Sequence, residues 1–302
     1  MGFKLTILGS NSAKPAYGRF TTAQYLDVGS EAILIDAGEA VQLQISKFGL
    51  KPNKITTIVI SHLHGDHILG LPGLLSSFSL NSRTKPLDIY GPQGLEQWIN
   101  VFREISGSYI NYDIRFNVLS SDTLESIVST DCIEISAFPV KHRIPTYGFL
   151  FKEINDTVNI DPDKIQEHSL TIDEIKEIKV GMDIIREGNR IPRDQLILAK
   201  KEGVSYAFCA DTDYTDSFLK HIRGCDIIYH EATYLKDQKE KARLRMHATA
   251  EEAAMIAVKA DVKKLIIGHY SSMYKDLTPL LEEAQSIFAN SALAIEGETH
   301  IL

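Results

Sequence analysis

The segment Ser61–His67, which reads Ser-His-Leu-His-Gly-Asp-His, constrains this chain more than any other. It places three imidazoles and one carboxylate within six positions, directly after the apolar residues Ile58, Val59 and Ile60, which are typical of a buried strand. Imidazole and carboxylate are ligands that Zn²⁺ accepts. A polar loop with histidines together by accident is the alternative, but only ten histidines occur in 302 residues. We therefore expect a strand that ends at a metal site.

Composition limits the class of protein. The net charge of −8 argues against a nonspecific polyanion binder, although a local basic patch is compatible with it. The three cysteines lack metal-type spacing and are expected to be reduced thiols. No apolar stretch approaches the roughly 18 residues of a membrane span, and the first residues lack a signal-peptide pattern. We expect a soluble, cytoplasmic protein with no membrane partner.

Short apolar runs alternate with amphipathic segments over the whole length. This alternation predicts an α/β class with sheets covered by helices. Thr249 followed by Glu252 predicts a capping box at a helix start. The predicted strands are Leu5–Leu8, Ala32–Ile35, Ile58–Ile60, Leu87–Tyr90, Ile133–Phe138, Tyr206–Ala210, Ile227–Tyr229, Leu265–Ile267 and Leu293–Ile295. The predicted helices are Ala40–Phe48, Leu69–Leu80, Leu95–Ile105, Phe218–Arg223, Thr249–Ala260 and Pro279–Phe288.

One segment, residues 152–194, differs from the rest because it is polar and net acidic. Its middle, Asp163–Met182, can form helix, but the segment is poor core material. Two interpretations stay open, a solvated excursion from the body and an ordinary pair of surface helices. We expect a single domain over residues 1–302 with 152–194 as a candidate insertion.

Further metal ligands are expected at other strand ends. His62 and His64 alternate, so an extended turn points them the same way, whereas Asp66 and His67 suit a neighbouring second ion. Each ion needs about four ligands, one of which is water at a catalytic site. The sequence offers additional donors directly after predicted strands: His142, Asp211 and His269. Each could be an ordinary hydrogen-bonded residue, but their shared position predicts one common site.

Two more residues are candidates for acid–base chemistry. Glu231 ends the strand that begins near Asp226, and His247 precedes the capping box of Thr249. A helix N-terminus disfavours a cationic histidine, and a carboxylate partner such as Glu231 restores the charge. Such a pair suits a general acid or a phosphate contact. The alternative is that His247 is a surface residue near a helix start.

Basic residues are the candidates for substrate contact. Arg243 and Arg245 belong to a basic run before His247, and Lys14 and Arg19 follow the first strand. A solvated helix face explains the run equally well. If these residues contact phosphates, binding weakens as salt rises.

These residues resemble the metallo-β-lactamase fold family, whose hallmark His-x-His-x-Asp-His is complete here. The closer resemblance is to ribonuclease Z, the endonuclease that processes tRNA 3′ ends. The supporting motifs are Ser61–His67 followed by Gly70-Leu71-Pro72-Gly73, Asp36-Ala37-Gly38-Glu39-Ala40, His230-Glu231-Ala232-Thr233, and His247-Ala248-Thr249 with Glu252-Ala253-Ala254. They span nearly the whole chain.

The resemblance implies a fold and a site. The fold would be an αββα sandwich of two mixed sheets flanked by helices, with an inserted arm. His62, His64 and His142 would hold one Zn²⁺, Asp66, His67 and His269 a second Zn²⁺, and Asp211 would bridge them. Asp66 would be the proton acceptor, with Glu231 and His247 on the acid side.

The resemblance also implies an activity and partners. The chain would be a zinc-dependent endoribonuclease that removes the 3′ trailer from precursor tRNA by metal-activated hydroxide attack, leaving a tRNA 3′-hydroxyl and a 5′-phosphate trailer. It would act as a homodimer, with residues 152–194 as the tRNA-binding arm. A small-molecule hydrolase on the same fold, such as a phosphodiesterase, arylsulfatase or lactonase, is the alternative. A noncatalytic RNA-binding protein would have lost ligands, and none is lost.

The chain departs from the family pattern at two points. Met273 stands where the family usually has an arginine, so Lys275 is the candidate replacement for a phosphate or base contact. The expected arm is acidic, which puts tight gripping of the tRNA backbone in question. Its basic cluster is limited to Arg186, Arg190, Arg193, Lys200 and Lys201.

Overall fold

The computed structural model of this chain describes residues 2–120, 122–154, 159–186, 188–198 and 203–302. The chain divides into two units. The larger contains Met1–Ser129, Ile133–Glu153 and Val204–Leu302, and the smaller contains Thr130–Cys132 and Ile154–Gly203. Lys200 and Lys201, predicted as part of a basic cluster, lie outside the described residues.

The first sheet of the larger unit is mixed. The order across the sheet is β16 (Thr299–Ile301), β1 (Lys4–Gly9), β2 (Ala23–Asp27), β3 (Ala32–Ile35), β4 (Ile55–Val59), β5 (Leu87–Pro92) and β6 (Ile114–Leu119). Neighbouring strands from β16 to β3 pair antiparallel, and those from β3 to β6 pair parallel.

The second sheet is also mixed. The order across the sheet is β15 (Ser291–Leu293), β14 (Lys264–Gly268), β13 (Ile227–Glu231), β12 (Ser205–Cys209), β9 (Tyr147–Glu153), β8 (Ile133–Pro139) and β7 (Glu125–Ser129). Neighbouring strands from β15 to β12 pair parallel, and those from β12 to β7 pair antiparallel.

Three apolar layers hold the larger unit together. The central layer joins the facing sides of the two sheets, for example Ile7 with Phe208. An outer layer packs α1 (Val41–Lys47), α3 (Leu71–Leu80) and α4 (Leu95–Ser106) on the first sheet. The opposite layer packs α7 (Leu219–Ile222), α9 (Ala250–Lys259) and α10 (Thr278–Ile287) on the second sheet. The two short helices α2 (Gly65–Ile68) and α8 (Lys239–Arg245) lie in the connections. Because each sheet buries both faces, the strands are apolar runs more than alternating ones.

The predicted fold class, an αββα sandwich of two mixed sheets, is confirmed. The capping box at α9 is also confirmed, because the Thr249 hydroxyl accepts from the Glu252 amide at 3.2 Å and the Glu252 carboxylate accepts from the Thr249 amide at 3.2 Å. The prediction missed β2, where the fully buried Gln24 interrupts the apolar run and accepts a hydrogen bond from the Tyr206 hydroxyl. His300 follows no predicted strand and would on that ground be expected at the surface. It is instead 5% exposed, because it lies in β16, which pairs with β1.

The smaller unit has a core of its own. Its helices are α5 (Pro162–Glu167) and α6 (Ile172–Lys179), followed by the hairpin of β10 (Ile184–Arg186) and β11 (Asn189–Ile191). A capping box of Thr171 and Glu174 starts α6. Five buried residues form the core: Ile160, Leu170, Ile178, Ile184 and Leu196. Within the described part of the chain, no helix is long and apolar enough to cross a bilayer.

Candidate metal and catalytic site

Strand ends from both sheets deliver the candidate residues to one place. His62 follows β4 of the first sheet, and His142, Asp211 and His269 follow β8, β12 and β14 of the second. Glu231 is the last residue of β13. Because β12, β13 and β14 run parallel, their carboxyl ends lie at the same edge of the sheet, where side chains converge.

The first donor set contains His62, His64, His142 and Asp211, whose ligand atoms lie within 4.8 Å of one another. The His62 Nε2 and His64 Nδ1 atoms are 2.9 Å apart, and the His142 Nε2 and His64 Nδ1 atoms are 3.3 Å apart. The Asp211 Oδ2 atom lies 3.6 Å from His62 Nε2. Three imidazoles and one carboxylate therefore face a common point.

The second donor set contains Asp66, His67, His269 and the same Asp211. The other oxygen of Asp211, Oδ1, lies 3.4 Å from His67 Nε2 and 3.2 Å from His269 Nε2. The Asp66 Oδ2 atom lies 3.3 Å from His269 Nε2. One carboxylate thus presents a different oxygen to each set, which is the geometry of a bridging ligand.

Hydrogen bonds on the far side of three rings, those of His67, His142 and His269, fix their tautomers. A carboxylate or carbonyl oxygen only accepts, so His67 Nδ1 donates to Asp36 at 2.7 Å and His142 Nδ1 donates to the Met246 carbonyl at 2.9 Å. The Thr233 hydroxyl donates to Glu231 and therefore accepts from His269 Nδ1 at 2.9 Å. The Nε2 atoms of these three rings are then the ones that face the donor sets, as in known metal sites, whereas His64 faces its set through Nδ1.

Local backbone features make this arrangement possible. His269 has a φ of 60°, a left-handed conformation that is uncommon for a residue with a side chain and turns its ring away from β14. Gly70 allows the turn after Ser61–His67 to lie against the Asp36 loop, because a Cβ there would meet the Gly38 carbonyl oxygen at 2.1 Å. The Ala37 amide donates to the His67 carbonyl at 2.8 Å across this close contact.

The electrostatics of the site are those of a cation-binding cavity. Burial lowers the pKa of His62, of His64 and of His142, so these rings are in the neutral form that binds metals. Burial alone would raise the pKa of Asp66 and of Asp211, but neighbouring histidines hold both below their ordinary values. Burying these carboxylates together is costly unless cations compensate them.

The donor distances also match metal coordination. Donors about 2.0–2.1 Å from a tetrahedral zinc ion lie about 3.3 Å apart. The close donor–donor separations within the two sets run from 2.9 to 3.7 Å, and all ligand atoms of a set lie within 4.8 Å of one another. Proteins with the same donor types bind zinc and related ions. The residues present are therefore positioned for metal binding.

A paired histidine and glutamate lie beside the two donor sets. His247 Nδ1 is 2.8 Å from Glu231 Oε1 and 3.9 Å from Asp211 Oδ2. Burial alone would lower the pKa of His247, but the Glu231 carboxylate raises it to about 9, so the imidazole is cationic at neutral pH. Met246, left-handed at the end of α8 with a φ of 56°, turns the chain so that His247 enters the site.

A cleft of about 360 Å³ opens onto the site. Of the residues predicted to contact substrate, Arg245 lines this cleft. Lys14, Arg243 and Lys275 are exposed but do not line it. The guanidinium of Arg19 is instead hydrogen-bonded to Asn11, Tyr274 and Lys275.

The structure therefore brings together all seven residues predicted as metal ligands, with the proposed acid pair beside them. Which of them hold an ion stays a prediction. The sequence reasoning gave no role to Asp36 or Thr233, although Asp36 also follows a buried strand and could have been found by the same rule. It also missed Arg143, which lines the cleft and directly follows His142.

A further cation of the basic run before His247 lies near Met273. The Lys241 ammonium lies 3.7 Å from the Met273 sulfur and 5.3 Å from the centre of the Tyr234 ring. Tyr234 lines the cleft, and its ring centre is 6.3 Å from that of His247. The basic run before His247 contains Lys241, but sequence alone does not show which residues of that run face the site.

Comparisons with known proteins place the chain among metallo-β-lactamase-fold proteins. Residues 3–188 match the family model described as "Anti-Pycsar protein Apyc1". The chain is 37% identical to ribonuclease Z of Parabacteroides distasonis over 98% of this chain and 97% of that one. It is 38% identical to ribonuclease Z of Cytophaga hutchinsonii, over 99% and 96% of the two chains.

Solved structures also show the metallo-β-lactamase fold. Human tRNase Z, short form, superposes with a TM-score of 0.72 at 25% identity, covering 98% of each chain. A diphosphatase of the PhnP family has a TM-score of 0.63 at 19% identity, covering 100% of this chain and 98% of that one. Zn²⁺-bound PqqB of Methylobacterium extorquens has a TM-score of 0.62 at 13% identity, covering 99% and 100%.

Proposed function

This chain belongs to the ribonuclease Z family and, over residues 3–188, to the family described as anti-Pycsar protein Apyc1, and on this premise we propose that it removes the 3′ trailer from precursor tRNA. As a member of the ribonuclease Z family it is a hydrolase, an endoribonuclease that acts on phosphodiester bonds. One observation supports the proposal most strongly: the His247–Glu231 pair lies beside two donor sets that share Asp211.

We propose that both donor sets hold Zn²⁺. His62, His64 and His142 would hold one ion and Asp66, His67 and His269 the other, with Asp211 shared between them. When bound, two such ions lower the pKa of water and offset charge on phosphate oxygens. The lowered pKa values of His62, His64 and His142 support the first assignment. The ionised Asp66 and Asp211 beside His67 and His269 support the second.

The chain's own residues supply the proton transfers. Asp66, with its pKa held low by His67 and His269, is an ionised carboxylate that accepts a proton from the attacking water. His247 carries a proton, and Glu231 on Nδ1 leaves its Nε2–H free to donate to the departing 3′ oxygen. Water adds to phosphorus and the bond to the 3′ oxygen breaks. The products are a tRNA 3′-hydroxyl and a 5′-phosphate trailer.

The substrate phosphates would meet cations at the cleft. Arg143 and Arg245 line it, and Lys241 lies over Tyr234 at its wall. Among the described residues, none of these three side chains makes an ion pair within 4.0 Å, whereas Lys54 and Lys259 are paired with aspartates at 2.8 Å. Unpaired cations are available to a polyanion. Lys14, Arg243 and Lys275 would contact the RNA further out.

We propose that residues 152–194 are the inserted arm. Four of the seven cations of this segment, Lys164, Lys176, Arg186 and Arg190, are paired with acids of the same unit. Arg186 lies 2.6 Å from Glu174 and Arg190 lies 2.5 Å from Asp183. The arm would therefore contribute little to the salt dependence of tRNA binding, unlike the cleft.

We also propose a homodimer in the cytoplasm. Support for the dimer comes from exposed apolar side chains on the helical layer over the first sheet, among them Leu43, Leu80 and Ile105, which are 56%, 85% and 82% exposed. Analytical ultracentrifugation tests the dimer directly. A monomer at micromolar concentration would contradict it.

A small-molecule phosphodiester hydrolase is the second candidate function. Residues 3–188 also match a second family, and the same fold occurs in a diphosphatase of the PhnP family, so the fold alone does not separate the two functions. That family match ends before Asp211, Glu231, His247 and His269, whereas the ribonuclease Z match covers nearly the full chain. The endonuclease therefore remains the better-supported function.

A paired cleavage assay decides between these functions. A precursor tRNA with a 3′ trailer and the chromogenic diester bis(p-nitrophenyl) phosphate are offered to the same zinc-loaded preparation. The proposal predicts cleavage next to the acceptor end, with a 3′-hydroxyl and a 5′-phosphate on the two products. Diester turnover without any tRNA cleavage would instead support the small-molecule hydrolase.

A further inference from the structure

The loop of residues 10–20, between β1 and β2, borders the cleft through Ser12 and Ala13. Ala13 has a φ of 59°, a left-handed conformation that only a well-fixed loop maintains. Its amide donates to the Asp66 Oδ2 atom at 2.6 Å. The loop therefore delivers one backbone N–H to the carboxylate proposed to accept the proton.

Arg19 fixes this loop from within. Its Nε atom donates to the Asn11 side-chain oxygen at 2.9 Å, inside the loop. Its two terminal nitrogens donate to the carbonyls of Tyr274 and Lys275 at 2.5 and 3.1 Å. These carbonyls belong to residues 270–275, which directly follow His269. One guanidinium thus joins the loop that contacts Asp66 to the segment that follows His269.

Other bonds fix the ends of the loop to the same neighbours. The Ser12 amide donates to the Tyr270 carbonyl at 2.9 Å, and the Tyr270 amide donates to the Ser10 carbonyl at 2.9 Å. The Glu296 carboxylate accepts from the Phe20 amide at 2.6 Å. Between these anchors, Arg19 is the side chain that bridges the loop to residues 274 and 275.

We propose that Arg19 is a positioning residue that holds loop 10–20 so that the Ala13 amide stays on Asp66. The inference rests on the proposed role of Asp66. The Arg19 guanidinium donates to three protein oxygens and does not line the cleft. Arg143 and Arg245, in contrast, line the cleft. A displacement of about 1 Å at such a site costs up to about 100-fold in rate.

The test compares Arg19→Ala and Arg19→Lys with Lys14→Ala in the zinc-loaded, full-length protein. Arg19→Ala should lower kcat about 10- to 100-fold with KM nearly unchanged. Arg19→Lys should stay impaired, because an ammonium keeps the charge but cannot reach three acceptors. Lys14→Ala, on the same loop but with an exposed side chain, should raise KM instead. Lys220→Ala, a surface cation on α7, is the neutral control.

Two further measurements keep the result interpretable. Amide hydrogen exchange of residues 10–20 should quicken in Arg19→Ala, and the exchange of the β12 amides reports whether the fold is intact. Glu296→Gln, which weakens a different anchor of the loop, should give the same fall in kcat. Both measurements use only the protein or bis(p-nitrophenyl) phosphate, so they remain valid even if precursor tRNA is not the substrate.

A different pattern would overturn the proposal. If Arg19→Ala raised KM, reduced the salt slope of tRNA binding by about one and left kcat unchanged, Arg19 would contact a substrate phosphate. Full activity in Arg19→Ala, or unaltered exchange of the loop amides, would likewise exclude a positioning role.

Discussion

Asp36→Asn gives a sharp test of how the protein prepares its donor atoms. The Asp36 carboxylate is fully buried and accepts from the Ser61 amide at 2.7 Å, the Ser61 hydroxyl at 2.8 Å and His67 Nδ1 at 2.7 Å. In the asparagine variant the amide oxygen can accept from the Ser61 amide, and the NH₂ group then faces His67 Nδ1. The ring would have to move its proton to Nε2, the atom that faces Asp211.

The expected loss follows from that tautomer change. Removing a partner that orients a metal-binding histidine costs about 10- to 100-fold in metal affinity. This factor corresponds to about 1.4–2.8 kcal/mol at the set that contains His67. The set of His62, His64 and His142 is affected only indirectly, through the Ser61 hydroxyl, which lies 2.8 Å from Asp36 and 3.0 Å from His62 Nδ1. The ion near His67 should therefore be lost before the other.

Chelator titration measures this directly. Protein is equilibrated with buffers of graded free Zn²⁺, and bound metal is determined by mass spectrometry. Asp27→Asn serves as the control, since that aspartate pairs with Lys54 at 2.8 Å outside the site. Two sites of unchanged affinity in Asp36→Asn would refute the proposed role of the Asp36–His67 bond.

Three further predictions follow from the charges of the structure. Glu231→Gln removes the carboxylate that raises the pKa of His247 to about 9. Activity that needs the His247 proton is lost as pH rises through this pKa. In Glu231→Gln the alkaline limb of the pH–rate profile should therefore move toward about 6.5. A limb that stays in place would refute the assignment of His247 as the acid. Arg143→Ala and Arg245→Ala should each reduce the salt slope of precursor tRNA binding by about one, whereas an unchanged slope would exclude a phosphate contact. Arg186 lowers the pKa of Glu174 to about 2. The stabilisation from this ion pair is therefore present above about pH 4.5 and is lost as pH falls toward 2. Amide exchange of α6 should quicken over that range in the native protein, and less so in Glu174→Gln.

The sequence was most informative where candidate residues repeatedly followed the end of a predicted buried strand. His142, Asp211 and His269 were predicted because each follows an apolar run, and the end of a buried strand is a fixed place in the fold. The alternation of apolar runs and amphipathic segments gave the α/β class with helix-covered sheets, whereas the sandwich of two sheets was expected from the family resemblance. Neither inference needed the contacts themselves.

The sequence was less informative where a residue acts through contacts made far along the chain. Asp36 and His67 are 31 positions apart, and Arg19 and Tyr274 are 255 positions apart. Arg19 was expected to contact substrate because an arginine near a site is usually interpreted by its charge. Only the fold shows that backbone carbonyls take up its donors. β2 was missed for a related reason, since a buried polar residue such as Gln24 is recognisable only beside its partner.

Metal content tests the central claim most directly. We expect about two zinc ions per chain in the purified protein, and loss of metal together with precursor tRNA cleavage in Asp211→Ala, because this carboxylate faces both donor sets. A native protein that binds no metal, or an Asp211→Ala variant that keeps two ions and full activity, would contradict the account.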